Sequence, residues 1–462
     1  MLYTIPRVVI AGLKGGSGKT TLSLGLLSAF RKEGKKIIPF KKGPDYIDAG
    51  WLARASGQEC HNLDAFLFPE EIILDSFVKS TSGSGGALIE GNRGIFDGID
   101  EKGTFSTAQL SKILSSPVIL IVDCAKATTT IAALIKGIIE YDQGVNIRGV
   151  VLNQVAGPRH EAVIRKAIES NTGVKVIGSI GKAGDDILLE RHMGLVPFQE
   201  AKGVGEVLKK MARLIAQSVE ISAVEDIMKS APDIEVPVPE TEPPAVPKKG
   251  DVRIGVLKDA AFQFYYPENI RLLSERGATV VEINALTQEN LPDVDALYIG
   301  GGFPETHTVD LAKNRKLLVA IKKRAENGLP VYAECGGLMY LGRQIEIEGK
   351  KMKMVGLLPL EFSMQHKPAA HGYTEVEVTD DNPYYPVGTE LKGHEFHYSS
   401  VTRSDNTVKL VFKMKRGNGI KGGYDGLVYK NVLATYTHLH ALGSPQWVEG
   451  MIRVARRYKD NR

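Results

Sequence analysis

The chain has 462 residues, 43% hydrophobic and 24% charged, which is enough for more than one buried core and typical of a folded protein. The formal net charge of +4 is small for this length and predicts neither nucleic acid nor an anionic membrane as a partner. Three widely spaced cysteines fit neither a disulfide scaffold nor a zinc motif. Since we find no signal-peptide pattern or long apolar run, we expect a cytoplasmic protein.

A proline-rich segment divides the chain into two parts. Residues 231–250 contain six prolines and several acids, with no helix or strand period, which is typical of an extended linker. We therefore predict one domain at 1–230 and another at 251–462, joined by this linker.

Both parts alternate short β-rich runs with helix-like stretches. This alternation predicts an α/β fold class with two doubly wound, mainly parallel-sheet domains, whose ligands bind at the carboxyl ends of the strands. In the first part, we predict strands at 7–11, 36–40, 87–90, 118–122, 149–152 and 174–178, and helices at 20–33, 129–139 and 160–170. In the second part, we predict strands at 252–256, 279–283, 296–299 and 330–332, and a helix at 267–276.

The first predicted strand continues through a glycine-rich turn into the first predicted helix. Such a turn lets backbone N–H groups converge on phosphate oxygens, while Lys19 would add a charge and Thr20 a hydroxyl for Mg²⁺. Because Leu13 stands where a standard phosphate loop has its first glycine, the segment instead resembles the variant loop of partition ATPases and dethiobiotin synthetase. The predicted nucleotide-binding residues of this P-loop are Lys14, Gly15, Gly16, Ser17, Gly18, Lys19, Thr20 and Thr21.

Four acidic residues, Asp45, Asp48, Glu90 and Asp97, follow strands whose carboxyl ends lie on the side of the phosphate loop. Mg²⁺ prefers oxygen ligands, so acids grouped beside a triphosphate favour metal binding, although each acid alone could be an ordinary turn residue. We predict that Thr20, Asp45 and Glu90 hold Mg²⁺.

Two later strand ends carry polar residues. Asn153 could bind an adenine edge, because its amide both donates and accepts hydrogen bonds, or it could cap the strand. The sequence does not decide a role for Asp123. We include Asn153 among the nucleotide-binding candidates.

In the second part, Cys335 follows a predicted strand and precedes two glycines. A sharp strand-to-helix turn of this kind exposes a nucleophile, and the helix N-terminus would favour its thiolate. The glycine turn at Gly301 and Gly302 could direct backbone N–H groups at an oxyanion. With His438 further along the chain, this set of residues predicts Cys–His acyl transfer.

Together these motifs resemble the cobyrinate a,c-diamide synthase family, whose members join a dethiobiotin-synthetase-like ATP domain to a class I glutamine-amidotransferase-like domain. The resemblance covers nearly all 462 residues. Besides the phosphate loop, it rests on PFKKGPDYID (39–48), EG (90–91), AFQFYYPEN (261–269), GGGFPE (300–305), YAECGG (332–337), GHEFHYS (393–399) and THLH (437–440).

The resemblance implies an enzyme that uses ATP, Mg²⁺ and L-glutamine. Cys335 would attack glutamine with proton transfer by His438, and the released ammonia would reach the ATP domain at 1–230. There, a carboxylate of an anionic tetrapyrrole would be phosphorylated and then amidated, at the a and c acetates of cobyrinate in turn. The resemblance also implies substrate contacts from Tyr46, Asp48 and Asp97.

Two departures from the family pattern leave alternatives open. Class I amidotransferases carry a glutamate two residues after the catalytic histidine, where this chain has His440, so the group that orients His438 is not identified. The loops at 14–16 and 91–94 also differ from those of cobalamin-pathway members. Amidation of sirohaem or Ni-sirohydrochlorin by the same chemistry is therefore an alternative.

A function of another class is a partition-type ATPase switch. The variant loop with Lys14 favours it, and the glutaminase part of the chain argues against it. By the same resemblance, Lys14 could be shared between two nucleotide sites in a homodimer.

Overall fold

The computed structural model describes residues 1–182, 190–191, 194–195, 197–201, 203–237, 250–405 and 408–462. The chain forms two compact units, Met1–Glu240 and Thr241–Arg462. Most of the predicted linker, residues 238–249, lies outside the described residues.

The start of the predicted linker differs from the prediction. Ile234–Glu235 pairs antiparallel with Leu2–Tyr3, and the amino group of Met1 donates to the carbonyl of Val236 at 2.8 Å. Ile234 and Val236 are buried there. Residues 234–236 therefore belong to the first unit, because this part of the proline-containing run has apolar side chains to bury.

The first unit contains a central sheet with helices around it. Its strands are β1 (Leu2–Tyr3), β2 (Arg7–Gly12), β3 (Ile37–Lys42), β4 (His61–Leu63), β5 (Gly86–Glu90), β6 (Val118–Asp123), β7 (Ile147–Val155), β8 (Val176–Gly181), β9 (Glu190–Arg191), β10 (Gly194–Leu195) and β11 (Ile234–Glu235). Its helices are α1 (Lys19–Lys32), α2 (Tyr46–Ser56), α3 (Glu70–Thr81), α4 (Thr107–Ile113), α5 (Thr130–Tyr141), α6 (Pro158–Thr172), α7 (Val204–Ser218) and α8 (Ile221–Lys229).

The central sheet has the strand order β4-β3-β5-β2-β6-β7-β8, and all of its pairs are parallel. The buried apolar runs of β2, β5 and β6 explain why they occupy the middle of the sheet, covered on both faces. Residue pairing places Ile10 beside Glu90 and Glu90 beside Lys41. The carboxyl ends of β2, β5 and β3 therefore converge on one region, where the phosphate loop begins.

The second unit contains a larger sheet and two smaller ones. Its strands are β12 (Val252–Leu257), β13 (Phe262–Phe264), β14 (Ala278–Ile283), β15 (Ala296–Ile299), β16 (Gly301–Gly302), β17 (Val331–Glu334), β18 (Gln344–Ile347), β19 (Lys350–Lys353), β20 (Leu360–Met364), β21 (Ala370–Val378), β22 (Glu390–His397), β23 (Ser399–Ser404), β24 (Lys409–Arg416), β25 (Tyr424–Tyr429), β26 (Val432–Thr435) and β27 (His438–Leu439). Its helices are α9 (Pro267–Glu275), α10 (Thr308–Lys313), α11 (Arg315–Glu326), α12 (Gly336–Leu341) and α13 (Pro445–Asp460), with a 3₁₀ turn at Pro304–His307.

The large sheet has the order β14-β12-β15-β17-β26-β25-β24-β21-β22-β27. Its first five strands are parallel, and the remaining pairs are antiparallel. The parallel strands carry short apolar runs, whereas β21 alternates buried and partly buried positions over its second half. Strands β25, β24, β21, β22 and β27 form an antiparallel arm of this sheet. In this arm β27 pairs with β22 at His438 and His394, and His438 lies beside Glu334 at the carboxyl end of β17.

The predicted α/β class is confirmed, since parallel sheets form the centre of both units. The predicted strands and helices occur within a few residues of their expected bounds. The antiparallel strands between 344 and 429 were not predicted. No helix in the described ranges is long and apolar enough to cross a membrane.

Candidate active sites

The turn between β2 and α1 forms a closed phosphate loop. Gly16 and Gly18 have φ angles of 72° and 103°, which residues with a Cβ rarely adopt. The hydroxyl of Ser17 donates to the carbonyl of Lys14 at 2.8 Å, and the ammonium of Lys19 donates to the same carbonyl at 3.1 Å. Gly15 lies in this turn. These contacts fix the loop ahead of the N-terminus of α1, where an anion is stabilised.

The two lysines of the loop have different partners. Lys19 also donates to the carbonyl of Arg93 at 2.7 Å, and burial lowers its pKa, with the charge of Lys41 acting in the same direction. The ammonium of Lys14 lies 3.1 Å from Asp123 Oδ2 at the end of β6. Asp123, for which the sequence decided no role, thus pairs with the extra lysine of the variant loop within one chain.

Asn153 supports the loop from β7. Its amide donates to the carbonyl of Ser17 at 3.0 Å, and a side chain in place of Gly18 would collide with that amide. This contact fits the interpretation of Asn153 as a structural residue at a strand end. The adenine contact stays a prediction.

Lys41 lies at the centre of the acidic cluster, on β3. Its ammonium is 2.6 Å from Asp48 Oδ2, 2.6 Å from Glu90 Oε1 and 4.0 Å from Asp45 Oδ2. The hydroxyl of Thr20 donates to the same Glu90 oxygen at 2.9 Å. Sequence reasoning missed Lys41, although a lysine at the end of an apolar, buried strand was a signal.

The charged groups of this cluster shift one another's pKa values. Burial disfavours the ammonium of Lys41, but the carboxylates of Asp48, Glu90 and Asp45 outweigh it and raise its pKa well above the ordinary value. Asp45 accepts the backbone N–H of Asp48 at 2.9 Å and so caps α2. Burial, followed by the charge of Asp48, raises the pKa of Asp45 to about 7. Asp45 therefore titrates near neutral pH.

The cluster also fits a magnesium ion. Glu90 Oε2 is buried and has no hydrogen-bond partner in the described part of the chain, an arrangement that a hard cation would satisfy. The described residues include no group of three or more His, Cys, Asp or Glu side chains suited to a metal ion. Mg²⁺ keeps several waters and phosphate oxygens, so few protein ligands suffice. Of the predicted trio, Thr20 and Glu90 are in direct contact, and Asp45 joins them through Lys41.

The remaining predicted substrate residues lie around this cluster. Asp97 Oδ2 accepts the N–H of Gly94 at 2.7 Å, and the N–H of Asp97 donates to the carbonyl of Gly94 at 3.0 Å. Asp97 thus has the turn role that the sequence left as an alternative. Tyr46 begins α2, two residues before Lys41's partner Asp48. Substrate contacts from Tyr46, Asp48 and Asp97 stay predictions.

In the second unit, Cys335 lies in a strained turn between β17 and α12. Its φ of 49° and ψ of −98° are sparsely populated for a residue with a side chain. Its backbone N–H donates to the carbonyl of Thr435 at 2.7 Å, which ties the turn to the end of β26. This is the geometry of a nucleophile elbow.

The protonation of Cys335 differs from the expectation. Burial raises the pKa of the thiol, the charge of Glu305 acts in the same direction, and a hydrogen bond from the N–H of Gly336 only partly opposes them. The raised pKa of the thiol contradicts the expected thiolate, because desolvation outweighs the effect of the helix N-terminus. A base must accept the proton when the thiol attacks.

The predicted glycine turn lies between the cysteine and the histidine. A side chain at Gly301 would collide with the ring of His438, and a Cβ at Gly336 would lie 3.2 Å from the backbone nitrogen of Gly302. The structure therefore brings the predicted nucleophile, histidine and oxyanion donors to one place. The N–H of Gly336, next to the nucleophile, is a further donor that the sequence analysis had not named.

Two buried histidines each face a buried glutamate. His438 Nδ1 lies 3.6 Å from Glu334 Oε2, and His440 Nε2 lies 3.5 Å from Glu268 Oε2. All four side chains are at most 2% exposed. The sequence analysis assigned no role to either glutamate, although Glu334 is the one charged residue of its strand and directly precedes Cys335.

Comparisons with known proteins match both units. The model of the CobB/CobQ-like glutamine amidotransferase domain matches residues 253–446, and that of the CobQ/CobB/MinD/ParA nucleotide binding domain matches residues 8–194. A cobyrinate a,c-diamide synthase from Magnetococcus marinus is 40% identical over 462 residues, covering 99% of this chain and 98% of the relative. One from Archaeoglobus fulgidus is 39% identical over 458 residues, covering 98% of each chain. The chain belongs to the cobyrinate a,c-diamide synthase family.

Membership of the cobyrinate a,c-diamide synthase family confirms the predicted enzyme class, a glutamine-hydrolysing carbon–nitrogen ligase. Within this family member, the first unit carries the nucleotide-binding domain and the second the amidotransferase domain, which acts on glutamine. The sequence located the consecutive motifs of both centres. The partners that Lys41, Glu334 and Glu268 meet come from other strands or helices, so only the fold reveals these contacts.

Proposed function

We propose that this family member amidates the a and c acetate side chains of cobyrinate, using ATP and glutamine for each. The observation that carries the proposal is the near-full-length identity of 40% and 39% to relatives named cobyrinate a,c-diamide synthase. The phosphate loop in one unit and the Cys335 elbow in the other would supply the two chemistries that such an amidation requires.

Glutamine hydrolysis would begin with attack of Cys335 Sγ on the side-chain amide carbon. Because burial keeps the thiol protonated, His438 would take its proton as the S–C bond forms. The N–H groups of Gly301, Gly302 and Gly336 are the candidate donors to the resulting oxyanion. His438 would return the proton to the leaving nitrogen as the C–N bond breaks. Water would then hydrolyse the thioester to glutamate.

Carboxylate activation would occur in the first unit. The phosphate loop would hold ATP, and a carboxylate oxygen of the substrate would attack the γ-phosphorus as ADP leaves. Ammonia would then attack the acyl phosphate carbon, and phosphate would leave as the amide forms. Activation is needed because a free carboxylate is a poor acyl donor at neutral pH.

The groups around the phosphates have distinct roles in this proposal. Thr20, Glu90 and Asp45 would hold Mg²⁺, which when bound neutralises charge on the transferring phosphoryl group. Glu90 Oε2, which has no hydrogen-bond partner among the described residues, supports this assignment. Lys41 would stay an ammonium beside the reacting phosphoryl group. Tyr46, Asp48 and Asp97 would contact the substrate.

A different tetrapyrrole is the second candidate. The loops at 14–16 and 91–94 depart from the pattern of cobalamin-pathway members, which favours sirohaem or Ni-sirohydrochlorin with the same chemistry. The partition-type switch is not proposed, because the amidotransferase domain gives the chain a chemistry that a switch does not use.

The test is incubation of the purified chain with ATP, Mg²⁺, glutamine and, separately, cobyrinate, Ni-sirohydrochlorin and sirohaem. We expect two successive acid-to-amide mass changes on cobyrinate, with ADP formed in step. Amidation of sirohaem or Ni-sirohydrochlorin alone would contradict cobyrinate as the proposed substrate. If none of the three tetrapyrroles gained an amide, the proposed function itself would be wrong. A Cys335→Ala variant should lose glutamine use and keep ammonia-dependent amidation.

A further inference from the structure

Glu334 is a buried carboxylate whose two oxygens are both engaged. Oε2 accepts the hydroxyl of Tyr298 on β15 at 2.9 Å, and Oε1 accepts the backbone N–H of Leu439 on β27 at 3.2 Å. The side chain has no exposed surface. Burying a carboxylate costs free energy unless its partners stabilise the charge. The position of Glu334 is therefore set by the groups that it contacts.

The same carboxylate faces His438, the candidate catalytic histidine. Oε2 lies 3.6 Å from Nδ1 of His438, and Leu439, which Oε1 binds, directly follows that histidine. We propose that Glu334 is the positioning residue of His438, in the role that the absent class I glutamate has elsewhere. The inference rests on the proposed roles of Cys335 and His438.

The geometry explains what Glu334 would do. A carboxylate 3.6 Å from Nδ1 would orient the ring and favour the tautomer with the proton on Nδ1, which leaves Nε2 for the proton of the thiol. It also stabilises the imidazolium that forms when His438 takes this proton. Because Glu334 directly precedes Cys335, one short segment would hold both the nucleophile and the group that orients its base.

The second acid–histidine pair does not fill this role. His440, which stands where a class I amidotransferase has its glutamate, faces Glu268 of α9 at 3.5 Å, and its ring packs on Tyr266 with 4.3 Å between the centroids. It therefore has neighbours of its own away from Nδ1 of His438. Glu268 is equally buried, which makes it a matched control for Glu334.

A second titratable group, on another strand, also faces His438. Glu334 approaches from β17, and the ring of His394 on β22 stacks against it with 4.9 Å between the centroids. Burial, and then the charge of His438, lower the pKa of His394 well below its ordinary value, so His394 is neutral. Glu334 thus brings a carboxylate to the ring of His438, and Gly301 lies close to the same ring.

The experiment compares Glu334→Gln with Glu268→Gln in the full chain. For Glu334→Gln we expect glutamine hydrolysis to lose about 100-fold or more in kcat, with KM for glutamine little changed. The acid limb of its pH profile should move to lower pH, since an amide does not stabilise the imidazolium. Glu268→Gln should show neither change. Ammonia-dependent amidation, which belongs to the first unit, should persist in both variants, and a wild-type-like unfolding transition of the second unit shows that it is folded.

A wild-type kcat and pH profile in Glu334→Gln would overturn the inference, as would the same loss in Glu268→Gln. If Glu334→Gln does not fold, the Tyr298→Phe variant tests the inference instead, because it removes only the hydroxyl that donates to Glu334 Oε2. We expect a smaller fall in kcat with the same pH shift, and no change in either would overturn the inference. Cys335→Ala separates the two proposals: glutamine use that survives it would overturn the proposed function itself.

Discussion

Lys41 and Glu90 form a buried ion pair between adjacent parallel strands, with 2.6 Å between Nζ and Oε1. Only 3% of the lysine side chain and none of the glutamate side chain is exposed. Because β3 and β5 pair these two residues in register, the ammonium lies where the carboxyl ends meet the phosphate loop. The pair links the stability of the first unit to its proposed chemistry.

Removing the ammonium should leave the buried Glu90 and the partly buried Asp48 as uncompensated carboxylates. We expect Lys41→Met to lower the free energy of unfolding by about 3–5 kcal/mol and to abolish ATP-dependent amidation. Glutamine hydrolysis, which belongs to the second unit, should survive. Denaturant unfolding and the two activity assays measure these effects. The control is Lys79→Met, which removes an exposed ion pair with Asp75 and should cost less than about 1 kcal/mol.

Asp45 should make stability depend on pH. Its folded pKa, raised to about 7, means that the folded chain binds this proton more tightly than the unfolded chain does. The stabilising proton is therefore present in the folded chain at about pH 5 and lost by about pH 8. Asp45→Asn keeps a capping side chain without the charge. Its melting temperature relative to wild type should rise between these two pH values, and a constant difference would contradict the assignment.

Gly301 should tolerate no side chain, since a Cβ there would collide with the ring of His438. We expect Gly301→Ala to reduce glutamine-dependent amidation by roughly 100-fold while ammonia-dependent amidation persists. Steady-state assays with each nitrogen source measure this. Gly137→Ala is the control, because a Cβ at that helical position meets open space. Equal activity of the two variants would contradict the assignment of Gly301 to the glutamine-hydrolysing site.

Asn153 offers a test between its two interpretations. If its amide only supports the carbonyl of Ser17, Asn153→Ala should weaken binding of ATP and GTP alike, by about tenfold. An adenine contact would instead be lost for ATP alone, so the preference between the nucleotides would change. Equilibrium binding of both nucleotides distinguishes these results. Asn171→Ala, on the exposed face of α6, serves as the control.

The sequence by itself determined the motifs whose residues are consecutive. The phosphate loop at 14–21 and the elbow at Cys335 each need only a strand, glycines and a helix in succession. Strongly apolar runs such as β2 and β6 were equally predictable, because a buried parallel strand has few alternatives. The antiparallel arm was not, since β21 interleaves glutamates with valines and its buried face depends on its partners.

Only the tertiary structure decided which distant side chains meet. Lys41 and Glu90 are 49 residues apart, and Glu334 lies across the sheet from a histidine more than a hundred positions later in the sequence. Such contacts follow from strand order and register, which local sequence does not encode. Burial decided the rest: the sequence placed Cys335 at a helix N-terminus, but desolvation in the folded chain keeps its thiol protonated.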